Sequence, residues 1–244
     1  MSENRYARHL ALAGFGAAEQ ARLRAAHALV IGAGGLGSPA LLYLAAAGVG
    51  RLAVSDFDSV DETNLQRQIL FTTADIGHPK ATAAARHLAA LNPETEVQPI
   101  PTRLAGEDLT AEVARADVVL DCCDNFATRF AVNAACVGAR TPLVSGAAIR
   151  YEGQLAVFRA DQDGAPCYRC LWVEDAEGLE NCRGNGILGP VTGVIGSMMA
   201  VEAVKILSGC APSADGRLML YDAREGTWRS LRIERDPACP VCGD

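Results

Sequence analysis

Two Cys-x-x-Cys pairs, Cys167/Cys170 and Cys239/Cys242, stand 68 residues apart in a chain of 244. Four thiolates at that spacing suit a closed tetrahedral zinc site with no ligand position open for chemistry. One pair alone would read equally well as a redox dithiol. Two pairs, one in a long loop and one beside the C-terminus, read as a staple tying tail to body. A second constellation lies near the N-terminus. Gly32-Ala33-Gly34-Gly35-Leu36-Gly37 fits Gly-x-Gly-x-x-Gly, in which the glycines let backbone N–H groups approach a phosphate at the positive end of a helix. Asp56 and Asp58 close the next apolar segment, where a carboxylate accepts hydrogen bonds from ribose hydroxyls. This much predicts a nucleotide and leaves NAD and ATP undivided.

The division comes downstream. Asn64-Leu65-Gln66-Arg67 presents an amide and a guanidinium three residues apart, on one face if helical, and Lys80 opens a further helical segment. Either cation alone would be an ordinary solvated charge. Together they suit a triphosphate, which needs several positive charges where a dinucleotide needs few. Asp124, followed by Asn125, comes just after the apolar run Val118-Val119-Leu120, at the carboxyl end of a strand, where α/β sheets bind ligands. A hard oxygen ligand there suits Mg²⁺.

The elements that must position these groups follow from periodicity. Strands are expected at His27–Ile31, Arg51–Ser55, Glu96–Ile100 and Val118–Asp121, with helices at Ser38–Ala47, Lys80–Leu91 and Glu107–Ala114. The alternation predicts an α/β fold, a Rossmann-like, mostly parallel sheet. From Thr141 the texture changes. Strands near Leu143–Ala147, Gln154–Phe158 and Leu218–Tyr221, with no regular helix between the last two, predict antiparallel continuation of the same sheet. Residues 1–244 are expected to form one domain, with a nucleotide-binding half at 1–140 and a second half at 141–244 that carries the zinc and binds the protein partner.

Composition narrows the function classes. With 22 Lys and Arg against 29 Asp and Glu, the net charge of −7 argues against a general nucleic-acid binder. Half the residues are hydrophobic but 5% are aromatic, which fits a helix-covered sheet built from Ala, Val, Leu and Ile. Residues 1–9 are charged and precede no apolar run, so no secretory signal is expected, and a cytoplasmic address follows. Residues 184–201 are uncharged but hold five glycines and a proline. They read as a buried loop and helix rather than a membrane span. Nine cysteines are an odd number, which leaves one thiol outside any disulfide framework.

Arg5-Tyr6-x-Arg8, the glycine turn, Ala45–Gly50, Asp56-Phe57-Asp58, Asn64-Leu65-Gln66-Arg67-Gln68, Lys80, Leu91-Asn92-Pro93, Asp124-Asn125 and Cys167-Tyr168-Arg169-Cys170 together resemble the ubiquitin-activating-enzyme-like adenylyltransferases of the MoeB and ThiF type. The similarity runs from Arg5 to Cys242. It implies a homodimer that uses ATP and Mg²⁺ to adenylylate the C-terminal glycine of a small β-grasp sulfur carrier ending in Gly-Gly. Its product serves thiamine or molybdopterin synthesis, with sulfur arriving from a separate donor protein. The resemblance further implies that Gly34, Gly35, Gly37, Asp56 and Asp58 hold the nucleotide, that Asn64, Gln66, Arg67, Lys80 and Asn125 surround its phosphates, and that Asp124 positions Mg²⁺. Arg8 would be supplied across the dimer interface.

Cys182, beside Arg183, matches a ThiF-type cysteine that takes part in sulfur transfer through an acyl-disulfide; in MoeB-type enzymes the corresponding cysteine is dispensable. Leu171-Trp172 and Asn181-Cys182-Arg183 are more ThiF-like, whereas Ser145–Arg150 and Glu152-Gly153-Gln154 are more MoeB-like, and the balance leans slightly to ThiF. Two other readings compete. An NAD-dependent oxidoreductase shares the glycine turn and the acid after the second strand, but leaves Arg67, Lys80 and Asp124 without a task. A scaffold that binds a carrier without activating it has no need of intact Arg8, Arg67, Lys80 and Asp124.

Overall fold

The alternation of apolar strands and helices puts successive strand side chains on opposite sides of one sheet, and each side is covered by its own helices. The computed structural model describes residues 5–172 and 186–243. The N-terminal segment carries the short helix α1 (Ala7–Leu10) and α2 (Ala17–Ala25). The alternating part then runs β1 (His27–Ile31), α3 (Gly37–Ala47), β2 (Arg51–Ser55), α4 (Lys80–Leu91), β3 (Glu96–Ile100), α5 (Gly106–Arg115), β4 (Val118–Asp121), α6 (Phe126–Ala139) and β5 (Leu143–Ile149). There follow β6 (Glu152–Phe158), α7 (Tyr168–Leu171), α8 (Gly189–Ser208), β7 (Arg217–Asp222) and β8 (Thr227–Arg232), with α8 numbered among the described residues.

The eight strands form one sheet in the order β3-β2-β1-β4-β5-β6-β7-β8. Strands β1 to β5 are parallel, and β6, β7 and β8 each pair antiparallel. The order reverses between β1 and β4, and the crevice at the carboxyl ends of such a pair is where open α/β sheets take ligands. The period of two divides the core. Ala28, Val30, Leu52, Val54, Val118 and Leu120 face α3, α4 and α8. Leu29, Ile31, Ala53 and Val119 face α5 and α6, with Phe158 and Tyr168 extending that layer.

Two elements differ from the sequence expectation. The helix read into residues 184–201 is regular and 20 residues long, α8, and it stands between β6 and β7, where the strand pattern places no regular helix. Its glycine-rich start hides it from propensity, and burial against α3 and the sheet stabilises it. It is also the one helix among the described residues long and apolar enough to cross a membrane, and half of its most apolar window is buried in the core. Strand β8 is an exposed edge whose Trp228, Arg229, Leu231 and Arg232 show no apolar alternation. Charges on an edge strand oppose pairing with another chain.

The stretch between β2 and α4 is long and irregular, and Asp75 fixes it. Its buried carboxylate accepts hydrogen bonds from the Thr72 N–H at 2.7 Å and hydroxyl at 2.8 Å, meets His87 Nε2 at 2.8 Å, and pairs with Arg86. Burial alone would raise its pKa, but these hydrogen bonds, led by the Thr72 N–H, bring it down to about 2. A folded pKa below the unfolded value of about 3.9 stabilises the fold above pH 4, and that contribution is lost as pH falls through 2. Asp75→Asn is therefore expected to lower the thermal midpoint at pH 7. In melts taken at successive pH values, the gap between wild type and variant should close between about pH 4 and pH 2.

Candidate active site

Strand β1 ends in a turn that needs the absence of side chains. Gly32 has φ +94, and a Cβ there would lie 2.9 Å from the Cys122 carbonyl oxygen at the end of β4. A Cβ on Gly37 would come within 1.9 Å of the Gly32 carbonyl oxygen. Helix α3 thus begins directly above the β1–β4 crevice, with its unpaired N–H groups turned toward it. Asp56, at the carboxyl end of β2, braces the turn: it accepts from the Ala33 N–H at 2.8 Å and from the Asp58 N–H at 2.9 Å. Burial pushes its carboxyl pKa up, against the pull of Lys80 and those two N–H groups. Each carboxylate oxygen retains a lone pair for a ribose hydroxyl.

Lys80 is the first residue of α4 and is nearly buried, with its Nζ 3.3 Å from Asp58 Oδ2. The positive end of a helix disfavours a cation. One half-exposed carboxylate is a thin counterweight, and the placement makes sense beside an anion. Asn64 ends a single 3-10 turn, Glu62–Asn64, rather than lying in the helix that the spacing allowed. Arg67 follows in turn geometry, its N–H bonded to the Asn64 carbonyl and its guanidinium donating to the Thr63 carbonyl at 3.1 Å. Gln66 packs on the start of α8, where a Cβ at Gly189 would fall 2.5 Å from the Gln66 carbonyl oxygen.

Asp124 is exposed at the end of β4, and among the described residues its carboxylate has no hydrogen-bond or ion-pair partner. Asn125 caps α6 by accepting from the Thr128 N–H at 2.9 Å. The N-termini of α3, α4, α6 and α8 therefore open at the same edge of the sheet. Each carries roughly half a positive charge.

Two contributors escaped the sequence reading as site residues. Thr192, in the first turn of α8, sits 3.1 Å from where a Gly35 Cβ would be. Gln68 is buried beside Gly34, and its side-chain carbonyl oxygen has no partner among the described residues. A buried amide oxygen without a donor is the signal, and only three-dimensional contact reveals it.

Arg8 is not gathered with the rest. Two residues before it, Tyr6 is buried against Gly48, just past α3, and receives a hydrogen bond from Asn92 just past α4 at 2.9 Å. Those are the far ends of helices of 11 and 12 residues, so Arg8 lies about 16–18 Å along their axes from the glycine turn and Lys80. Cys182 lies outside the described residues.

The four predicted metal ligands converge. The sulfurs of Cys167, Cys170, Cys239 and Cys242 all lie within 4.8 Å of one another, with Cys167–Cys239 at 3.7 Å and Cys170–Cys242 at 3.4 Å. A zinc–sulfur bond of about 2.3 Å gives tetrahedron edges of about 3.8 Å, so the donor set fits zinc. The N–H groups of Cys242 and Val241 hold Cys239 at a pKa of about 7 against the opposing effect of burial, whereas burial pushes the Cys167 and Cys242 thiols up.

Residues 6–241 match the ThiF family. The chain is 49% identical over 239 residues to the sulfur carrier protein ThiS adenylyltransferase of Escherichia coli, covering 98% of this chain and 94% of that one. It is 46% identical to the molybdopterin-synthase adenylyltransferase of the same organism, covering 98% and 96%. Among solved structures, E. coli MccB with succinimide superimposes with a TM-score of 0.88 at 24% identity, over 100% of this chain and 75% of that one, which supports the fold.

A closed thiolate site contributes folding free energy rather than chemistry. Metal analysis of the reduced, folded protein is expected to find one zinc per chain. Cys239→Ser should lose it and lower the thermal midpoint by about 5–10 °C. A folded, reduced preparation free of metal would refute the assignment.

Proposed function

Because the chain belongs to the ThiF family, we propose that it is an ATP-dependent adenylyltransferase acting on the C-terminal carboxylate of a small β-grasp sulfur carrier ending in Gly-Gly, for thiamine or molybdopterin synthesis. The observation that carries this reading is the convergence of four helix N-termini and a nearly buried Lys80 on one crevice of an acidic protein. A hydride-transfer enzyme also seats a pyrophosphate at a helix N-terminus, but it leaves the added cations Arg67 and Lys80 and the exposed Asp124 without a task.

In this reading the backbone N–H groups of the glycine turn receive phosphate oxygens, Asp56 accepts from the ribose, and Asn64, Gln66, Arg67, Lys80 and Asn125 surround the polyphosphate. Asp124 would hold Mg²⁺, which when bound adds positive charge against the developing phosphorane. The carrier's carboxylate is already ionised and needs no general base; what it needs is cancellation of its repulsion from the α-phosphate, which fixed cations and N–H dipoles supply. Extended glycines, free of side chains, suit the narrow approach to that phosphorus.

The remoteness of Arg8 from its own chain's crevice supports a homodimer in which it serves the partner's site. The four cysteines hold zinc as a staple, and a separate protein delivers sulfur. Identities of 49% and 46% to the two E. coli enzymes do not choose between the carriers. Cys182 supplies that distinction.

Carrier-dependent exchange of labelled pyrophosphate into ATP tests the reaction. Asp124→Ala should fold normally and lower exchange by about 10²–10³-fold. Arg8→Ala should lower it as well, and mixed Arg8→Ala and Asp124→Ala chains should regain activity in verified heterodimers; no recovery there rejects the shared site. Cys182→Ser should leave exchange near the wild-type rate, since activation uses no thiol. If the enzyme is ThiF-type, the same variant should fail to form thiocarboxylate with a persulfide donor: the donor's outer sulfur displaces AMP to give an acyl disulfide, the Cys182 thiolate exchanges onto its acyl-side sulfur and releases the donor as a thiol, and a second, reducing thiol then frees the thiocarboxylate. Wild-type thiocarboxylate yield would assign the MoeB-type course.

A further inference from the structure

Helix α6 carries Arg129 and Asn133 one turn apart on the same face, below its cap Asn125. Arg129 is almost fully buried, and its guanidinium is divided among separate segments. Nη1 donates to Asp121 Oδ2 at 3.4 Å and to Ser145 Oγ at 3.2 Å, while Nη2 donates to the backbone carbonyl of Cys123. The Ser145 hydroxyl in turn donates to Asp121 Oδ2 at 3.0 Å. The Tyr168 side chain is near enough to the same guanidinium to feel its charge, which opposes the upward push that burial gives the phenol. Tyr168 directly follows Cys167. Its N–H donates to Asn133 Oδ1 at 2.8 Å, and Asn133 Nδ2 donates to Cys167 Sγ at 3.5 Å. One helix face thus joins the four-cysteine cluster to the carbonyl immediately before Asp124.

We propose that Arg129 is a positioning residue that clamps the Cys123 carbonyl and thereby sets Asp124, and that Tyr168 ties this clamp to the four-cysteine cluster. The proposal rests on the reading of Asp124 as the Mg²⁺ ligand. The geometry favours a clamp over a simple core ion pair. An ion pair with Asp121 needs one arm of the guanidinium; the other is spent on a backbone carbonyl in the loop that bears Asp124. The carboxylate of Asp124 is exposed and has no partner among the described residues, so its place is set through its neighbours: Cys123, whose N–H donates to Asp121 Oδ1 at 3.1 Å and whose carbonyl Arg129 holds, and the cap Asn125. A planar fork reaches two directions at once, and a lysine ammonium does not reproduce that geometry.

Two variants separate positioning from stability. Arg129→Lys keeps a cation for Asp121 and gives up the second arm. Tyr168→Phe removes one hydroxyl and keeps the ring against Phe130 and Phe158, whose centroids lie 5.8 and 5.9 Å away. The readouts are ATP binding by calorimetry in EDTA and in Mg²⁺, and the Mg²⁺ concentration for half-maximal pyrophosphate exchange. Metal content should equal that of wild type in both variants, and ATP binding in EDTA should be unchanged. The half-maximal Mg²⁺ concentration should rise about tenfold, as is usual when a partner behind a metal ligand is lost. In an Asp124→Ala background, Tyr168→Phe should not alter the ratio of the two ATP affinities further. An unchanged Mg²⁺ requirement with only a lower thermal midpoint would overturn the proposal, as would equal losses of ATP binding with and without Mg²⁺. If the wild type itself shows no carrier-dependent exchange, the adenylyltransferase reading fails, and the calorimetric comparison still decides the clamp.

Discussion

The fold turns on how closely α3 approaches the end of β1. With a methyl group at position 37 pressed to within 1.9 Å of the Gly32 carbonyl oxygen, the turn could not close, and α3 would start further from the sheet. Closure sets the rest in order. It brings the β1 turn against the end of β4 at Cys122, so the loop bearing Asp124 lies beside the glycine N–H groups. It also lets Asp56 reach the Ala33 N–H from the neighbouring strand. A residue that reads as a ribose acceptor is therefore also a brace. Its desolvated carboxylate stays compatible with both duties because each oxygen accepts two hydrogen bonds.

An acidic chain builds a site for a polyanion by placement rather than by composition. Net charge of −7 describes the whole surface, whereas the potential at one crevice is set by what points into it. Here four helices begin at one sheet edge, and a cation stands at the first position of α4, where the helix field works against it. The arrangement costs stability in the free protein and is preorganised for a ligand with negative charge. Electrostatics fixed before the reaction need no reorganisation during it, and this suits a step in which two anions must meet.

Much of this was legible in the sequence because short-range patterns determine it. The glycine turn, the acids ending β2 and β4, and the two cysteine pairs are local signals, and β1 to β4 lie where apolar runs put them. What escaped depends on distant contacts. The start of α8 looks like loop by propensity, and burial against α3 makes it helix. Strand β8 has no apolar face to announce it. Asn64 and Arg67 stand in turns because the segment between β2 and α4 is held by Asp75 and by packing on Gly189, neither visible from a spacing of three. Gln68 and Thr192 become site residues only through the approach of α8 to the glycine turn.

The cysteine cluster joins two pieces that are weak alone. Helix α7 is four residues long, well below the length at which an isolated helix is stable in water. The tail after Ile233 contains no helix or strand among its described residues. Each contributes two thiols, and bringing them together closes a loop of about seventy residues, whose entropic cost grows only slowly with length. A metal held by the four thiols would offset this cost and order both pieces at once. Its effect extends beyond the tail, because Tyr168 and Cys167 sit against α6 through Arg129 and Asn133. The part of the chain richest in irregular structure thus fixes the helix whose N-terminus carries the nucleotide-site loop. The sheet holds this loop as far as Cys122, whose N–H donates to the Ile31 carbonyl at 2.9 Å, and Asp121 receives the Cys123 N–H at 3.1 Å; the Cys123 carbonyl, immediately before Asp124, is held from α6 by Arg129.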